Sequence, residues 1–251
     1  MTTFETKVVL VAGGASGIGG AATKAFAAAG AKVAFTYMTS EEEANSIETD
    51  CRSLDQTAKA FRADLSSAHE VEDVVRKVEA TFGPIDVLFA NAGGLLKRSR
   101  CVDSTLDLWQ QAFAINTFST FLVTQAALRS MEARKTGSIV LMSSLAAFDG
   151  GGHGASHYAA SKGAVASFTR ALAKEVGPLG IRVNAVAPGL IGTRFHDTFN
   201  TPEGRAAAVE RTPLRREGVP QDVADLVLYL ASEQAAFITG EVVQINGGVG
   251  F

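Results

Sequence analysis

Tyr158 and Lys162 stand four positions apart within the stretch Ser156 to Val165. If the small residues between them are helical, the two side chains share a face and an ammonium lies beside a phenol. A phenol releases its proton near pH ~10, and a neighbouring positive charge favours the phenolate and lowers that value. A tyrosine tuned toward neutrality exchanges a proton with an alcohol or carbonyl oxygen. Taken alone the pair has a second reading, in which the lysine stem packs along a half-buried ring. Ser144 follows the apolar run Ser138 to Met142, about fourteen residues before Tyr158, and a serine at such a strand end points toward the same crevice. Asn116 lies inside a pattern that reads as one long helix, Thr105 to Arg134, with Phe113, Phe121, Leu122 and Leu128 toward the core or a partner. Asparagine is a poor helix-interior residue. Asn116 therefore either faces solvent or holds something polar in a buried place.

These groups need elements to position them. Lys7 to Ala12 has the β-branched, apolar content of a buried parallel strand. It ends in Gly13, Gly14, Ala15, Ser16, Gly17, Ile18, Gly19 and Gly20, and an alanine-rich helical pattern follows from Ala21 to Ala29. A strand, a glycine turn and a helix make an anion site, because the free amides and the dipole at the helix start attract phosphate. Glycine serves where the backbone approaches a pyrophosphate closely or takes positive φ. The spacing is Gly-x-x-x-Gly-x-Gly, and its place after the first strand favours a dinucleotide over a tight turn without ligand.

The second strand, Lys32 to Tyr37, ends where folds that bind NAD usually place an acid for the ribose 2′-hydroxyl. Here Tyr37, Met38, Thr39 and Ser40 precede Glu41, Glu42 and Glu43. A carboxylate at the strand end would repel a 2′-phosphate, so its absence beside two hydroxyls favours NADP(H), with NAD(H) still possible. No arginine stands at that strand end to pair with the phosphate. The glutamates suit the start of a helix, Glu41 to Ser53.

A third strand around Lys59 to Ala63 leads to Asp64 and Leu65, and Asp64 either meets an adenine amino group or caps the helix Ala68 to Phe82. A fourth, Asp86 to Ala90, exits at Asn91, Ala92 and Gly93, small residues that leave room for the middle of a cofactor. The helix of Tyr158 runs to Val176, and the sixth strand, Ile181 to Ala187, exits at Pro188, Gly189, Leu190, Ile191, Gly192 and Thr193. Residues of about 190–216 read as a substrate lid. In it Phe195 and Phe199 either wall an apolar pocket or pack ordinarily. Arg194, Arg211, Arg215 and Arg216 either recognise an anion or form a solvated face. A last helix, Pro220 to Ala231, and a strand, Glu241 to Ile245, finish the sheet.

A chain of 251 residues with 47% hydrophobic content can bury a large core as one α/β domain. A net charge of −3 gives no basic footprint for nucleic acid. Cys51 and Cys101 are too few for a disulfide framework and suit a reducing compartment. Met1 to Lys7 is polar and enters a strand at once, so no signal peptide is expected, and no apolar run approaches the ~20 residues of a membrane helix. The expectation is one cytoplasmic domain, residues 1–251.

In order and separation, Gly13/Gly17/Gly19, Asp64, Asn91-Ala92-Gly93, Asn116, Ser144, Tyr158-x-x-x-Lys162, Pro188-Gly189 with Thr193, and the Gly247-Gly248 ending resemble the short-chain dehydrogenase/reductase family over essentially the whole chain. Ala12 departs from that pattern by replacing a threonine, removing one hydroxyl contact. The Ser144 to Tyr158 interval is one residue longer than is common in that family, the extra length to be absorbed by the loop of Gly150, Gly151, Gly152 and Gly154.

The resemblance implies a single-domain, Rossmann-type doubly wound parallel sheet of about seven strands with helices on both faces. It implies hydride transfer between a nicotinamide cofactor and a secondary alcohol or ketone. Ser144 would bond the substrate oxygen, Tyr158 would exchange its proton, and Lys162 would lower the phenol's pKa and hold the ribose hydroxyls. Asn116 would kink its helix and place a water that links Lys162 to solvent. Cofactor contacts would come from Gly13, Ser16, Gly17, Ile18, Gly19, Tyr37, Thr39, Ser40, Asp64, Leu65, Asn91, Ala92, Gly93, Tyr158, Lys162, Pro188, Gly189, Ile191 and Thr193. A homotetramer pairing through the helices of Asn116 and Tyr158 and through the C-terminal strand is also implied, with Phe251 at a subunit boundary.

Other chemistries fit less well. His153 and His157 stand four apart downstream of Ser144, but no carboxylate-bearing ligand motif surrounds them, so no metal is expected. No Gly-x-Ser-x-Gly elbow exists for acyl hydrolysis. A fold does not fix a function, which leaves a dinucleotide-binding regulatory or scaffold protein as the alternative from a different class.

Overall fold

The structure, a computed structural model, describes residues 4–250. Residues 1–3 and Phe251 lie outside the described residues, as does the expectation that Phe251 borders a neighbouring subunit. Seven strands, β1 (Val8–Ala12), β2 (Lys32–Tyr37), β3 (Thr57–Arg62), β4 (Val87–Ala90), β5 (Gly137–Met142), β6 (Ile181–Pro188) and β7 (Val242–Ile245), form one sheet in the order β3-β2-β1-β4-β5-β6-β7. Every neighbouring pair is parallel. Parallel sheets need helical cover on both faces, and the sequence supplies it by alternation along β1. Val8, Leu10 and Ala12 enter a core with α3 (Ala68–Phe82), α5 (Ser119–Arg134) and α7 (Ser156–Val176). Val9 and Val11 enter the opposite core with α1 (Gly17–Ala28), α2 (Glu41–Ser53) and α10 (Pro220–Ala231).

The chain leaves β1 in one direction for β2 and β3, and in the other for β4 to β7. Connections on the two sides of β1 and β4 therefore diverge, opening a crevice at the strands' carboxyl ends. Helix α1 opens this crevice and starts at Gly17, four residues before the alanine run. Glycine's poor helix propensity hides that first turn in the sequence. Space dictates the glycines there: a Cβ on Gly19 would strike the Gly13 carbonyl and stand 2.6 Å from Asn91 Nδ2, whose bond to that carbonyl spans 2.8 Å. Gly19→Ala is accordingly expected to cost about 1–3 kcal/mol in chemical denaturation, the usual penalty for overpacking. An unchanged midpoint would mean that the turn yields freely.

The span expected as one helix, Thr105 to Arg134, is broken into α4 (Leu106–Phe113), a π turn (Ala114–Phe118) and α5. Asn116 causes the break and is fully buried. Its Nδ2 donates to the carbonyls of Ala112 and Gly94, both at 2.9 Å, and its Oδ1 accepts the Gly94 amide at 2.9 Å. The Ser119 and Thr120 hydroxyls occupy the carbonyls of Ile115 and Asn116, each at 2.7 Å. Side chains that compete for helical carbonyls widen the ladder. Two further short helices form over the region expected as a lid, α8 (Arg194–Phe199) and α9 (Pro202–Arg211), joining α6 (Ala146–Asp149) as elements the hydrophobic pattern did not announce. Strand β3 begins two residues earlier than expected, its limits set by pairing with β2. Among the described residues no helix is long and apolar enough to cross a membrane.

Candidate active site

The crevice opens into a cleft of about 890 Å³. At one end lie Gly13, Ser16, Gly17 and Ile18 with Tyr37, Thr39 and Ser40. Gly13 takes φ +78, and its amide donates to Thr36 Oγ1 at 2.9 Å, so β2 supplies a hydroxyl to this turn where Ala12 has none. Ser16 precedes α1 without capping it, which leaves first-turn amides for an anion. Asn91, Ala92 and Gly93 line the middle. Beyond them come Ser144, Tyr158 and Lys162, with Pro188, Gly189, Ile191 and Thr193 on the facing wall.

Four expected residues stand behind the lining rather than in it: Gly19, Asp64, Leu65 and Asn116. Gly19 is packed under the turn. Asp64 does not cap α3, a role Ser67 takes, and its Oδ1 accepts the Ser66 amide at 2.9 Å and hydroxyl at 2.7 Å. Leu65 joins the core. Asn116 acts on the cleft through Gly94, and a Cβ on Gly93 would collide with its Oδ1 and come within 3.1 Å of Lys162 Nζ.

Helix α7 is pinned by hydroxyls. Ser161 bonds the Tyr158 carbonyl at 2.7 Å, Thr117 the Ser161 carbonyl at 3.0 Å, and Ser143 the Lys162 carbonyl at 3.0 Å. Lys162 is 2% exposed, and its Nζ donates to the Met142 carbonyl at 2.8 Å while lying 5.9 Å from the centroid of the Tyr158 ring. Met142 is thus a site residue that sequence reasoning missed, since a backbone carbonyl at a strand end leaves no mark in side-chain type.

Electrostatics correct one expectation. Lys162 was expected to lower the Tyr158 pKa, yet burial raises it above the ordinary phenol value, opposed by a hydrogen bond from the Ser144 hydroxyl. Burial also lowers the Lys162 ammonium to about 7. Desolvation disfavours whichever form is charged, so phenol and ammonium both drift toward neutrality.

Past Tyr158 the cleft is walled by residues the sequence left open. Phe195 lines it with its ring 5.8 Å from that of Tyr158, whereas Phe199 meets Phe195 edge-on at 5.1 Å between centroids. The four arginines of the stretch expected as a lid separate. Arg194 pairs with Glu43 at 2.5 Å, Arg216 pairs with Asp222, Arg215 donates to the Glu210 carbonyl, and Arg211 faces the cleft. Arg98, unforeseen on its loop, ties the Phe199 and His153 carbonyls together at 3.1 and 2.9 Å. Buried His157 bonds the Leu95 carbonyl at 3.0 Å. Among the described residues no three His, Cys, Asp or Glu side chains are grouped to hold a metal.

A glycine turn and a serine, tyrosine and lysine at opposite ends of one switch-point crevice mark the class of open α/β oxidoreductases that work on a nicotinamide dinucleotide. A family model described as enoyl-(acyl carrier protein) reductase matches residues 13–250. L-rhamnose 1-dehydrogenase (NAD(P)(+)) of Sphingomonas sp. strain SKA58 is 36% identical over 251 residues, covering 99% of this chain and 98% of its own. The 3-oxoacyl-acyl-carrier-protein reductase of Thermotoga maritima is 38% identical over 247 residues, covering 98% of each. A solved structure of 7α-hydroxysteroid dehydrogenase, complexed with NADH and 7-oxo glycochenodeoxycholic acid, matches with a TM-score of 0.94 at 31% identity over 98% of this chain and 95% of that one. The chain belongs to the short-chain dehydrogenase/reductase family.

Proposed function

We propose that this chain transfers hydride between a nicotinamide cofactor, NADP(H) in preference to NAD(H), and a secondary alcohol or its ketone. The observation that carries the reading is the convergence of Ser144, Tyr158 and Lys162 on the cleft that starts at the glycine turn. When bound, the dinucleotide supplies or accepts the hydride. The residues present suit such a group: uncapped first-turn amides at α1, small residues from Asn91 to Gly93, and a glycine where a side chain would fill the space beside Lys162.

The chain's own residues manage the proton. In the reductive direction the Ser144 hydroxyl bonds the substrate oxygen and Tyr158 gives that oxygen its proton. A phenol held protonated by burial is in the form that donates. Lys162, placed by the Met142 carbonyl, bonds ribose hydroxyls and favours the phenolate left behind whenever it carries its own charge. In oxidation the same groups run in reverse. Absence of an acid at the β2 end supports NADP(H), with the Thr39 and Ser40 hydroxyls lining that end of the cleft. Phe118 and Phe121, 53% and 43% exposed on the Asn116 helix, support pairing of subunits into a homotetramer, and we assign the protein to the cytoplasm.

A steady-state panel of secondary alcohols and ketones with NADPH and NADH tests this. Cofactor-dependent absorbance change, faster with NADPH, is expected. Tight cofactor binding with no turnover across the panel would instead favour a dinucleotide-binding regulatory or scaffold protein.

A further inference from the structure

Read along its own strand, the β2 exit holds no cation, but the sheet supplies one from the neighbouring strand. In the β2–β3 register Arg62 lies opposite Tyr37, and paired residues of adjacent strands project to the same face. Arg62 Nε donates to the Met38 carbonyl at 3.3 Å, which holds the guanidinium against the loop whose Tyr37, Met38, Thr39 and Ser40 line the cleft. Among the described residues the two terminal guanidinium nitrogens of Arg62 have no protein acceptor, and no carboxylate pairs with it. A free fork of this kind matches two phosphate oxygens.

The rest of the surroundings agree. Ser40 precedes α2 without capping it, so its hydroxyl is uncommitted. Glu43, the carboxylate that lines this end, is neutralised by Arg194 at 2.5 Å. Glu41 and Glu42 are exposed on the same helical turn and oppose an anion, so the helix start alone would not hold one.

We propose that Arg62, with the Thr39 and Ser40 hydroxyls, binds the 2′-phosphate of NADP(H), so that the cation selecting the cofactor comes from β3. The inference rests on the NADP(H) reading above and assigns it a residue. Its test is binding to the full chain, independent of turnover: fluorescence titration with NADPH and NADH, and calorimetry with adenosine 2′,5′-bisphosphate and adenosine 5′-monophosphate as probes. Arg62→Ala should weaken NADPH and the bisphosphate by about tenfold, the scale of one hydrogen-bonded charge. NADH and the monophosphate should stay within about twofold, which also reports an intact fold, and Arg62→Lys should restore part of the loss. A wild-type preference for NADPH that survives Arg62→Ala would overturn this inference and leave the cofactor reading standing. Equal losses for both cofactors would make Arg62 a structural residue and overturn it too. A wild-type chain without preference, or preferring NADH, would overturn the cofactor reading itself.

Discussion

Tyr158→Phe is expected to lower kcat by about a thousandfold or more, the range of a lost general acid, while the cofactor dissociation constant stays within about twofold. The variant keeps the ring that packs 5.8 Å from Phe195 and removes only the hydroxyl, so the wall of the cleft survives. Because burial holds the phenol protonated through neutral pH, ionisation of Tyr158 itself should not limit the reductive rate of the wild type in that range. Full activity in Tyr158→Phe, measured by stopped-flow and equilibrium titration, would remove Tyr158 as proton donor.

Lys162→Met should damage both turnover and cofactor affinity, since one ammonium serves the phenolate and the ribose. It also has a signature that needs no cofactor. In the folded protein Lys162 loses its proton at about 7, but in the unfolded chain only near pH ~10.4. Between those values the unfolded state binds the extra proton, so this group makes stability rise with pH across the window, by up to about 1.4 kcal/mol per unit. Below the lower value its contribution no longer changes. Tyr158, shifted upward, matters only above pH ~10. Thermal melts of the cofactor-free protein should therefore show a midpoint climbing from pH 7 to 9 more steeply in the wild type than in Lys162→Met, at about the interval stated. Parallel profiles would show that the lysine is not buried in its neutral form.

What the sequence disclosed was whatever is encoded within a few neighbouring residues. Strand β1 and the glycine turn were readable because a buried parallel strand and a close backbone approach each demand particular residue types in succession. The limits of α2 and α3 were also legible, α2 from its three opening glutamates, although the residue that caps α3 is Ser67 and not Asp64. The π turn was not legible from periodicity, because Asn116 meets Gly94 across a gap in sequence, and only the family resemblance implied a kink at Asn116. Asp64 was readable as a ligand contact or as a helix cap, and the cap of α3 proved to be Ser67, because spacing does not separate two polar residues so close to one helix start. The phenol's pKa was misjudged because charge can be counted along a sequence and desolvation cannot. Arg62 escaped notice for a related reason, since a residue beside the β2 exit in space belongs to another strand.

The widened turn around Asn116 also sets the bearing of everything after it. Each residue in a helix advances the side-chain direction by roughly 100°. Deleting one residue there would therefore act like turning an axle, swinging Val123, Ala127 and Met131 off the sheet they now cover. Phe118 and Phe121 face outward for the same geometrical reason, so the outer surface of α5 and the polar contact at Gly94 are dialled by one shared twist and cannot be altered separately.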